Sequence, residues 1–248
     1  MPPVVRAHLL PALFEPAELS GETAVVIDVL RASTTIIQAL DSGARRVIPC
    51  GSIDEARTIA ARFPTDERLL GGERHGCLIP GFDLDNSPRA YTPERVAGQT
   101  LVFTTTNGTQ ALRRAQQAEE ICVGAFVNLN AVARFLATQT RTIHLVCAGT
   151  DGQLTAEDIL FAGLLALRLS TRGSHAVGRG DIATELAIEF ARQHGTSPAA
   201  ICAALEGSRG GLNLLELGLS ADIEFAAQVD SMSVVPVWNR STGELRPA

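Results

Sequence analysis

The sequence contains no lysine, and all 21 of its basic residues are arginine. Because no side chain can form a Schiff base, lysine-dependent aldolases and the usual pyridoxal-phosphate enzymes are excluded. The phosphate-binding lysines of Walker-type nucleotide sites and of protein kinases are absent as well. Any anion that a basic side chain holds must therefore be held by arginine, whose planar guanidinium binds through paired hydrogen bonds and does not shuttle protons.

Paired cysteines, a signal pattern and long apolar runs are also missing. The five cysteines are widely spaced, with no C-x-x-C pair, as expected of free thiols in a reducing compartment. The longest apolar run, residues 159–167, is too short to span a bilayer. A net charge of −6 disfavours binding to nucleic acid through an overall electric field. We therefore expect a soluble cytoplasmic protein that binds neither membranes nor nucleic acid.

Short β-branched apolar runs alternate with helical patterns along the chain. Thr23–Leu30, Arg45–Cys50 and Gln99–Asn107 predict buried strands, each followed by a helix. Pro236 predicts that the last strand lies at a sheet edge, because proline cannot donate to a ladder. The alternation indicates an α/β fold, a three-layer α/β/α arrangement with a mainly parallel or mixed sheet, in a single domain over residues 1–248. Ligands of such sheets bind beyond the carboxyl ends of the strands.

The first candidate segment, DVLRASTT, joins a strand end to a helix start. A helix N-terminus favours phosphate, Arg31 could add a bidentate clamp, and Asp28 could hold a divalent cation. Ser33 can cap the helix, with Thr34 and Thr35 beside it. A simple helix cap with a surface arginine is the alternative interpretation, and this segment alone does not decide between the two.

The second segment, Gly71 to Pro88, is rich in glycine and in charged and polar residues. It belongs to a long connection with little periodicity, which is usually functional or disordered. An Asx turn with solvent-facing acids is the alternative, but the density of polar residues favours a site. We interpret His75 as a bystander. The polar residues of interest are Glu73, Arg74, Asp83, Asp85, Asn86 and Ser87.

The third segment, TTTNGT, covers Thr104 to Thr109. It predicts a strand, loop and helix in which hydroxyl and backbone donors surround a phosphate. The Asn-Gly pair is also a strong signal for a type I′ hairpin turn. The helical pattern that follows argues against the hairpin, so we favour the phosphate-binding interpretation.

The fourth segment, CAGTDGQLTAED, places Glu157 and Asp158 in the first turn of a helix. Acids at this position meet the helix dipole favourably, with or without a metal, so a metal role requires convergence with other segments. Cys147 precedes the loop and is interpreted as a buried structural thiol rather than a nucleophile.

In this order and spacing, the four segments resemble the 2-phosphosulfolactate phosphatase family, over about residues 20–240. The resemblance implies a magnesium-dependent phosphatase that hydrolyses (R)-2-phospho-3-sulfolactate to 3-sulfolactate and phosphate, a step of coenzyme M biosynthesis. It also implies a three-layer α/β/α fold that is unrelated to the common phosphatase folds.

The resemblance also implies which residues form the site. The substrate carries phosphate, sulfonate and carboxylate groups, for which Arg31 and Arg74 are the expected guanidinium partners. The further substrate-binding residues would be Ser33, Thr34, Asn86, Ser87, Thr105, Thr106, Asn107, Gly108 and Thr109.

Catalysis would involve Arg31 and several acids. Attack by water and a covalent aspartyl-phosphate through Asp28 both remain open, and the residue that acts on the leaving alkoxide is unidentified. Mg²⁺ usually takes one or two carboxylates together with water and phosphate oxygens, so not all five candidate acids can bind it. The candidates for catalysis are Asp28, Arg31, Glu73 and Asp83, and those for the metal are Asp28, Glu73, Asp83, Glu157 and Asp158.

Two other functions are kept open. One is a phosphatase for a different phosphorylated 2-hydroxy acid, and the other is a non-catalytic anion-binding regulatory protein. Acids near the hydroxyl loops speak against the second, because a pure anion binder gains nothing from carboxylates. A homodimer is expected only from the abundance of two-fold oligomers.

Overall fold

The computed structural model describes residues 3–171, 176–177 and 181–248. Its strands are short and mostly buried. They are β1 Val4–His8, β2 Thr23–Ile27, β3 Arg46–Pro49, β4 Arg68–Arg74, β5 Cys77–Leu78, β6 Thr100–Thr104, β7 Glu120–Gly124, β8 Ile143–Cys147, β9 Ala176–Val177, β10 Pro236–Asn239 and β11 Glu244–Pro247.

The helices connect these strands and then follow one another in the last third of the chain. They are α1 Ala32–Asp41, α2 Ile53–Ala60, α3 Pro93–Val96, α4 Gly108–Ala115, α5 Leu129–Leu136, α6 Ala156–Thr171, α7 Ile182–His194, α8 Pro198–Glu206, α9 Arg209–Glu216 and α10 Ser220–Ala226. In the described ranges, no helix combines the length and the apolar character needed to cross a membrane.

The sheet is mixed, and its strand order is β5-β4-β6-β3-β11-β10-β7-β2-β8-β1-β9. Two groups of parallel strands can be distinguished in it. Strands β7, β2, β8, β1 and β9 form one group, and β3, β6 and β4 form the other. The antiparallel β10–β11 hairpin joins them, since β10 pairs with β7 and β11 pairs with β3. The predicted α/β class with a mixed sheet is confirmed.

The prediction that Pro236 places the last strand at an edge is wrong. β10 lies inside the sheet, where Val237 is opposite Cys122 of β7. Pro236 is the first residue of β10 and its partner on β11 is Pro247, the last residue of that strand. The missing N–H groups thus fall where the ladder ends, and a proline there leaves the interior pairs intact.

Alternate side chains of β2 enter two different apolar cores. Val25 and Ile27 pack with residues of α5 to α10, whereas Ala24 and Val26 pack with residues of α1 and α4. Because successive side chains of a strand point to opposite faces, helices cover both sides of the sheet. This layering leaves the carboxyl ends of the strands free of helix cover.

Ser33 does not cap α1 as predicted. The helix begins at Ala32, and the Ser33 hydroxyl accepts a hydrogen bond from the backbone N–H of Asp28 at 2.9 Å. The carbonyl of Asp28 accepts in turn from the Ser33 N–H at 2.8 Å. Ser33 therefore fixes the turn between β2 and α1, and with it the position of Asp28.

A pair of imidazoles, His144 buried and His8 half-buried, links β1 to β8. His8 Nε2 and His144 Nδ1 are 2.8 Å apart, and the rings are stacked with centroids 5.1 Å apart. Burial, together with the neighbouring His8, lowers the pKa of His144 to about 4. Burial also lowers the pKa of His8. The pair is therefore neutral in the folded protein at neutral pH.

Replacing His144 by leucine should change how stability depends on pH. Between about pH 6.5 and pH 4, unfolded His144 binds a proton that the folded protein excludes, so this site destabilises the wild type as the pH falls. The free energy of unfolding of His144→Leu relative to wild type should rise by up to about 3 kcal/mol from pH 7 to pH 4. Urea unfolding at several pH values measures this difference, and parallel curves for the two proteins would contradict it.

Candidate active site

A cavity of about 300 Å³ opens at the carboxyl ends of β2, β4, β6 and β8. Each of the four segments identified in the sequence contributes to its lining, and α9 closes one side. The predicted residues in the lining are Asp28, Arg31, Glu73, Asn86, Thr105, Thr106 and Asn107. His75 also lines it.

Asp28 lies where α4 approaches the end of β2. Its Oδ1 accepts a hydrogen bond from Ala32 N at 3.2 Å. A Cβ on Gly108 would lie 2.8 Å from Asp28 Oδ2, so a residue with a side chain could not bring α4 so close. Burial, with a smaller contribution from Glu73 and Glu157, raises the pKa of Asp28 to about 7 against the opposing effects of the Ala32 N–H and Arg31.

Arg31 is held by a residue that the sequence did not indicate. Its Nη1 donates to Asp222 Oδ2 at 2.8 Å, and its Nη2 donates to the carbonyl of Gly76 at 3.0 Å. The other Asp222 oxygen accepts from the Ser87 hydroxyl at 2.6 Å. Both members of the ion pair are almost fully buried. Asp222 therefore fixes the guanidinium and joins it to the 86–88 segment.

Glu73 connects the β4–β5 turn to the third segment. Its Oε1 accepts from the N–H and the hydroxyl of Thr106 at 2.9 and 3.0 Å, and its Oε2 accepts from Gly76 N at 2.8 Å. His75, between these elements, has a φ of 54°, which places it in the left-handed region. The carboxylate thus holds two loops of the cavity together.

Two polar atoms of the cavity lining are buried without a hydrogen-bond partner. They are Oδ1 of Asn86 and Oγ1 of Thr105. Buried polar groups in native proteins are nearly always paired, so an orphan in a cavity wall indicates an atom that a ligand or water satisfies. These two atoms mark where a bound molecule would be received.

Other predicted residues lie outside the lining and have structural partners. The Arg74 guanidinium donates to the Glu73 carbonyl at 2.6 Å and to Thr104 Oγ1 at 2.9 Å. The Thr34 hydroxyl donates to Val29 O, and the Thr109 hydroxyl to Thr105 O. These contacts fix the two helix starts that border the cavity.

Three of the five predicted metal ligands are also outside the lining. Asp83 is exposed and accepts from Leu70 N at 2.8 Å. Glu157 is buried and accepts from the Thr155 hydroxyl. Burial raises its pKa. Asp158 is buried as well, and its pKa is raised well above the usual value, first by burial and then by Glu157 and Asp28.

Two acids that the sequence analysis did not single out also line the cavity. Asp151, in the loop after β8, and Glu216, near the end of α9, line it together with Asp28 and Glu73. Among the described residues, Arg31 is the one arginine in the lining, and no three His, Cys, Asp or Glu side chains form a metal-binding group. Asp151 belongs to the fourth segment, but neither it nor Glu216 stands out as an individual residue, because exposed acids are common in loops and at helix ends.

An acidic cavity with guanidinium, hydroxyl and amide groups, at the carboxyl edge of a mixed α/β sheet, is suited to hydrolysis of a small anionic ester with the help of a cation. The sequence model of the 2-phosphosulpholactate phosphatase family matches residues 8–241. The chain belongs to this family, so the predicted resemblance is confirmed. The same match confirms the prediction of an enzyme of the phosphoric monoester hydrolase class.

Relatives cover nearly the whole chain. A protein of Symbiobacterium thermophilum named "Probable 2-phosphosulfolactate phosphatase" is 42% identical over 223 residues, which are 89% of this chain and 93% of the relative. Proteins with the same name from Caldanaerobacter subterraneus subsp. tengcongensis and Deinococcus radiodurans are 38% and 40% identical, covering 88% and 94% of this chain and 88% and 92% of their own lengths.

Asp222→Asn should impair the enzyme by releasing Arg31. Loss of the charged partner leaves the buried guanidinium free to shift, and a small misplacement of a binding group can cost between about 10- and 100-fold in kcat/KM. Steady-state phosphate release, corrected for the folded fraction at the assay temperature, measures the loss.

Asp230→Asn is the matched control, since it breaks the Arg168–Asp230 pair outside the cavity. It should lower stability without lowering kcat/KM. Equal kcat/KM values for the two variants and wild type would show that Asp222 only stabilises the fold.

Proposed function

We propose that this protein hydrolyses (R)-2-phospho-3-sulfolactate to 3-sulfolactate and phosphate in a magnesium-dependent reaction. The names of the relatives support the substrate, and the cavity supports the reaction class. The observation that carries the magnesium proposal is the charge of the cavity lining, which has four carboxylates against one arginine among the described residues. A substrate with three anionic groups would be repelled there unless a cation joined it.

The side chains in the lining fit Mg²⁺. Asp28 and Glu73 line the cavity, and their mutual repulsion contributes to the raised pKa of Asp28. Mg²⁺ prefers oxygen ligands and needs only one or two carboxylates, with water and phosphate oxygens completing its shell. We assign the metal to Asp28 and Glu73, with Asp83, Glu157 and Asp158 outside its coordination.

The remaining lining residues would receive the substrate. Arg31 offers guanidinium hydrogens to an anionic group while Asp222 fixes its position. The Thr105 hydroxyl and the Asn107 side chain, in the loop that leads into α4, line the cavity where the phosphate is expected. Asn86 Oδ1 only accepts hydrogen bonds, so it would contact a protonated group of the substrate or a bridging water molecule, and not an anionic oxygen.

Mg²⁺ held by Asp28 and Glu73 would supply charge neutralisation at the phosphoryl group and would lower the pKa of a water molecule bound to it. Asp28 borders the same space and would either orient an attacking water molecule or attack phosphorus itself, giving an aspartyl-phosphate that water then hydrolyses. In both routes the bond from phosphorus to the 2-oxygen of the substrate breaks, and that oxygen takes up a proton to become the hydroxyl of 3-sulfolactate. Both routes need Asp28 as a carboxylate. Arg31 and the Thr105 hydroxyl, which also line the cavity, would stabilise charge that develops on the phosphoryl oxygens.

The proposed reaction can be tested by measuring phosphate release from (R)-2-phospho-3-sulfolactate with Mg²⁺ and with EDTA. Chelation should lower turnover by at least about a hundredfold, because several kcal/mol of charge stabilisation are lost. Full activity in EDTA would contradict the metal assignment. A panel of other phosphorylated 2-hydroxy acids tests the substrate, and faster turnover of one of these would replace it.

Thr105→Val should separate binding of the substrate from stability of the fold. The Thr105 hydroxyl is buried and unpaired, so its removal should leave the melting temperature unchanged or raised. Loss of a hydroxyl that contacts the phosphoryl group should lower kcat/KM by about tenfold or more. Thr105→Ser, which keeps the hydroxyl, is the control and should retain activity. Wild-type kinetics in Thr105→Val would remove this hydroxyl from the site.

A further inference from the structure

A second cavity, of about 750 Å³, lies on the other side of α4 and shares no lining residue with the candidate active site. It is enclosed by α2, α4, β3 and the turn between β10 and β11. Its volume is within the range of small-molecule sites. We call it the arginine cavity because Arg46, Arg62 and Arg113 line it.

The arginine cavity has unused capacity to bind an anion. Its two acids are already engaged, since Glu244 accepts from Arg46 at 3.0 Å and from Arg246 at 2.6 Å, and Glu55 accepts from Arg113 at 2.7 Å. Arg62 is exposed, and its guanidinium makes no hydrogen bond or ion pair with any described residue, although its backbone N–H donates to Ile59 O at 3.0 Å.

Arg46 provides a second free donor. Its Nε is buried and has no hydrogen-bond partner, although its Nη1 is bound to Glu244. A buried guanidinium N–H left unpaired is costly, so a ligand that accepts from it would gain more than one bound at the surface. Because the chain as a whole carries a net charge of −6, these free guanidinium donors form a local basic region on an acidic protein.

The arginine cavity also contains aromatic surface, which is scarce in this protein. The chain has nine Phe, one Tyr and one Trp, and two of these rings, Phe63 and Trp238, line the arginine cavity. The Arg46 guanidinium lies 6.0 Å from the Phe63 ring centre. Ile59 and Leu112 add apolar surface between them. Such a lining suits a ligand with one planar face and one anionic end.

We propose that the arginine cavity is a binding site for a small phosphorylated molecule with a planar ring, of the nucleoside monophosphate class. The phosphate binds Arg46 and Arg62, and the ring packs against Trp238 and Phe63. The site is separate from the candidate active site, and its occupant is bound without being hydrolysed.

Binding can be measured through the fluorescence of Trp238, because it is the one tryptophan of the chain and lines the arginine cavity. Adenosine monophosphate is titrated into the protein in EDTA while tryptophan fluorescence is recorded. A saturable change with a Kd in the range of about 10 µM to 1 mM is expected. Adenosine and inorganic phosphate, each carrying one half of the recognition, should bind at least about tenfold more weakly.

Arg62→Gln should raise the Kd for adenosine monophosphate by about tenfold, since one charge-assisted contact to phosphate is lost. The variant should fold normally because Arg62 is exposed and unpaired. Arg192→Gln, at an exposed arginine of α7, is the matched control and should bind as wild type does. Thr105→Val changes the candidate active site and not the arginine cavity, so it should also keep the wild-type Kd.

Four results would overturn the proposal, and the first three concern the titrations and Arg62→Gln. They are the absence of a saturable change, equal Kd values for Arg62→Gln and wild type, and a Kd for inorganic phosphate equal to that for adenosine monophosphate. A changed Kd in Thr105→Val would place the nucleotide in the active cavity and would overturn it too.

Discussion

The carboxylate of Asp158 connects the two neighbouring strands whose ends carry much of the active cavity. Its Oδ1 accepts from Val29 N at 2.9 Å, two residues after β2, and its Oδ2 accepts from Gly149 N at 3.0 Å, two residues after β8. Both amides lie where ladder bonds end, and a buried amide without a partner would be costly. Because Asp28 and Thr150 directly adjoin these amides, the walls of the cavity depend on this one buried group.

The cavity concentrates charge where a stable protein would avoid it. Asp28 is buried within the field of Glu73 and Glu157, and Asp158 is buried beside Glu157. Such repulsion opposes folding, and proteins retain it where function requires it. Hydrogen bonds at Asp158, Glu73 and Asp222 offset part of this cost by fixing each carboxylate against backbone or arginine donors. A structural role and a binding role are therefore divided among acids that look alike in sequence.

The sequence predicted the strands that lead into the cavity and the loops that line it, because strand ends followed by polar residues and helix starts are local patterns. Asp28, Glu73, Asn86 and Thr105 could be found in this way. Asp222 could not, because its partner Arg31 is 191 residues away and α10 carries no distinguishing motif. Asp83 and Asp158 had the right residue type in the right segments, but their orientation depends on tertiary contacts that no spacing reveals.

The position of the β10–β11 hairpin affects how the sheet can assemble while the chain is being synthesised. The hairpin follows every other strand and helix of the described chain, yet it forms the only described backbone link between β7 and β3. During synthesis, the two parallel groups therefore leave the ribosome with open edges facing each other. The two groups cannot join into one sheet before the hairpin is present, and until then each exposes unpaired strand backbone that can associate with other chains. The hairpin, which follows the other described elements along the chain, thus completes the centre of the sheet rather than its border.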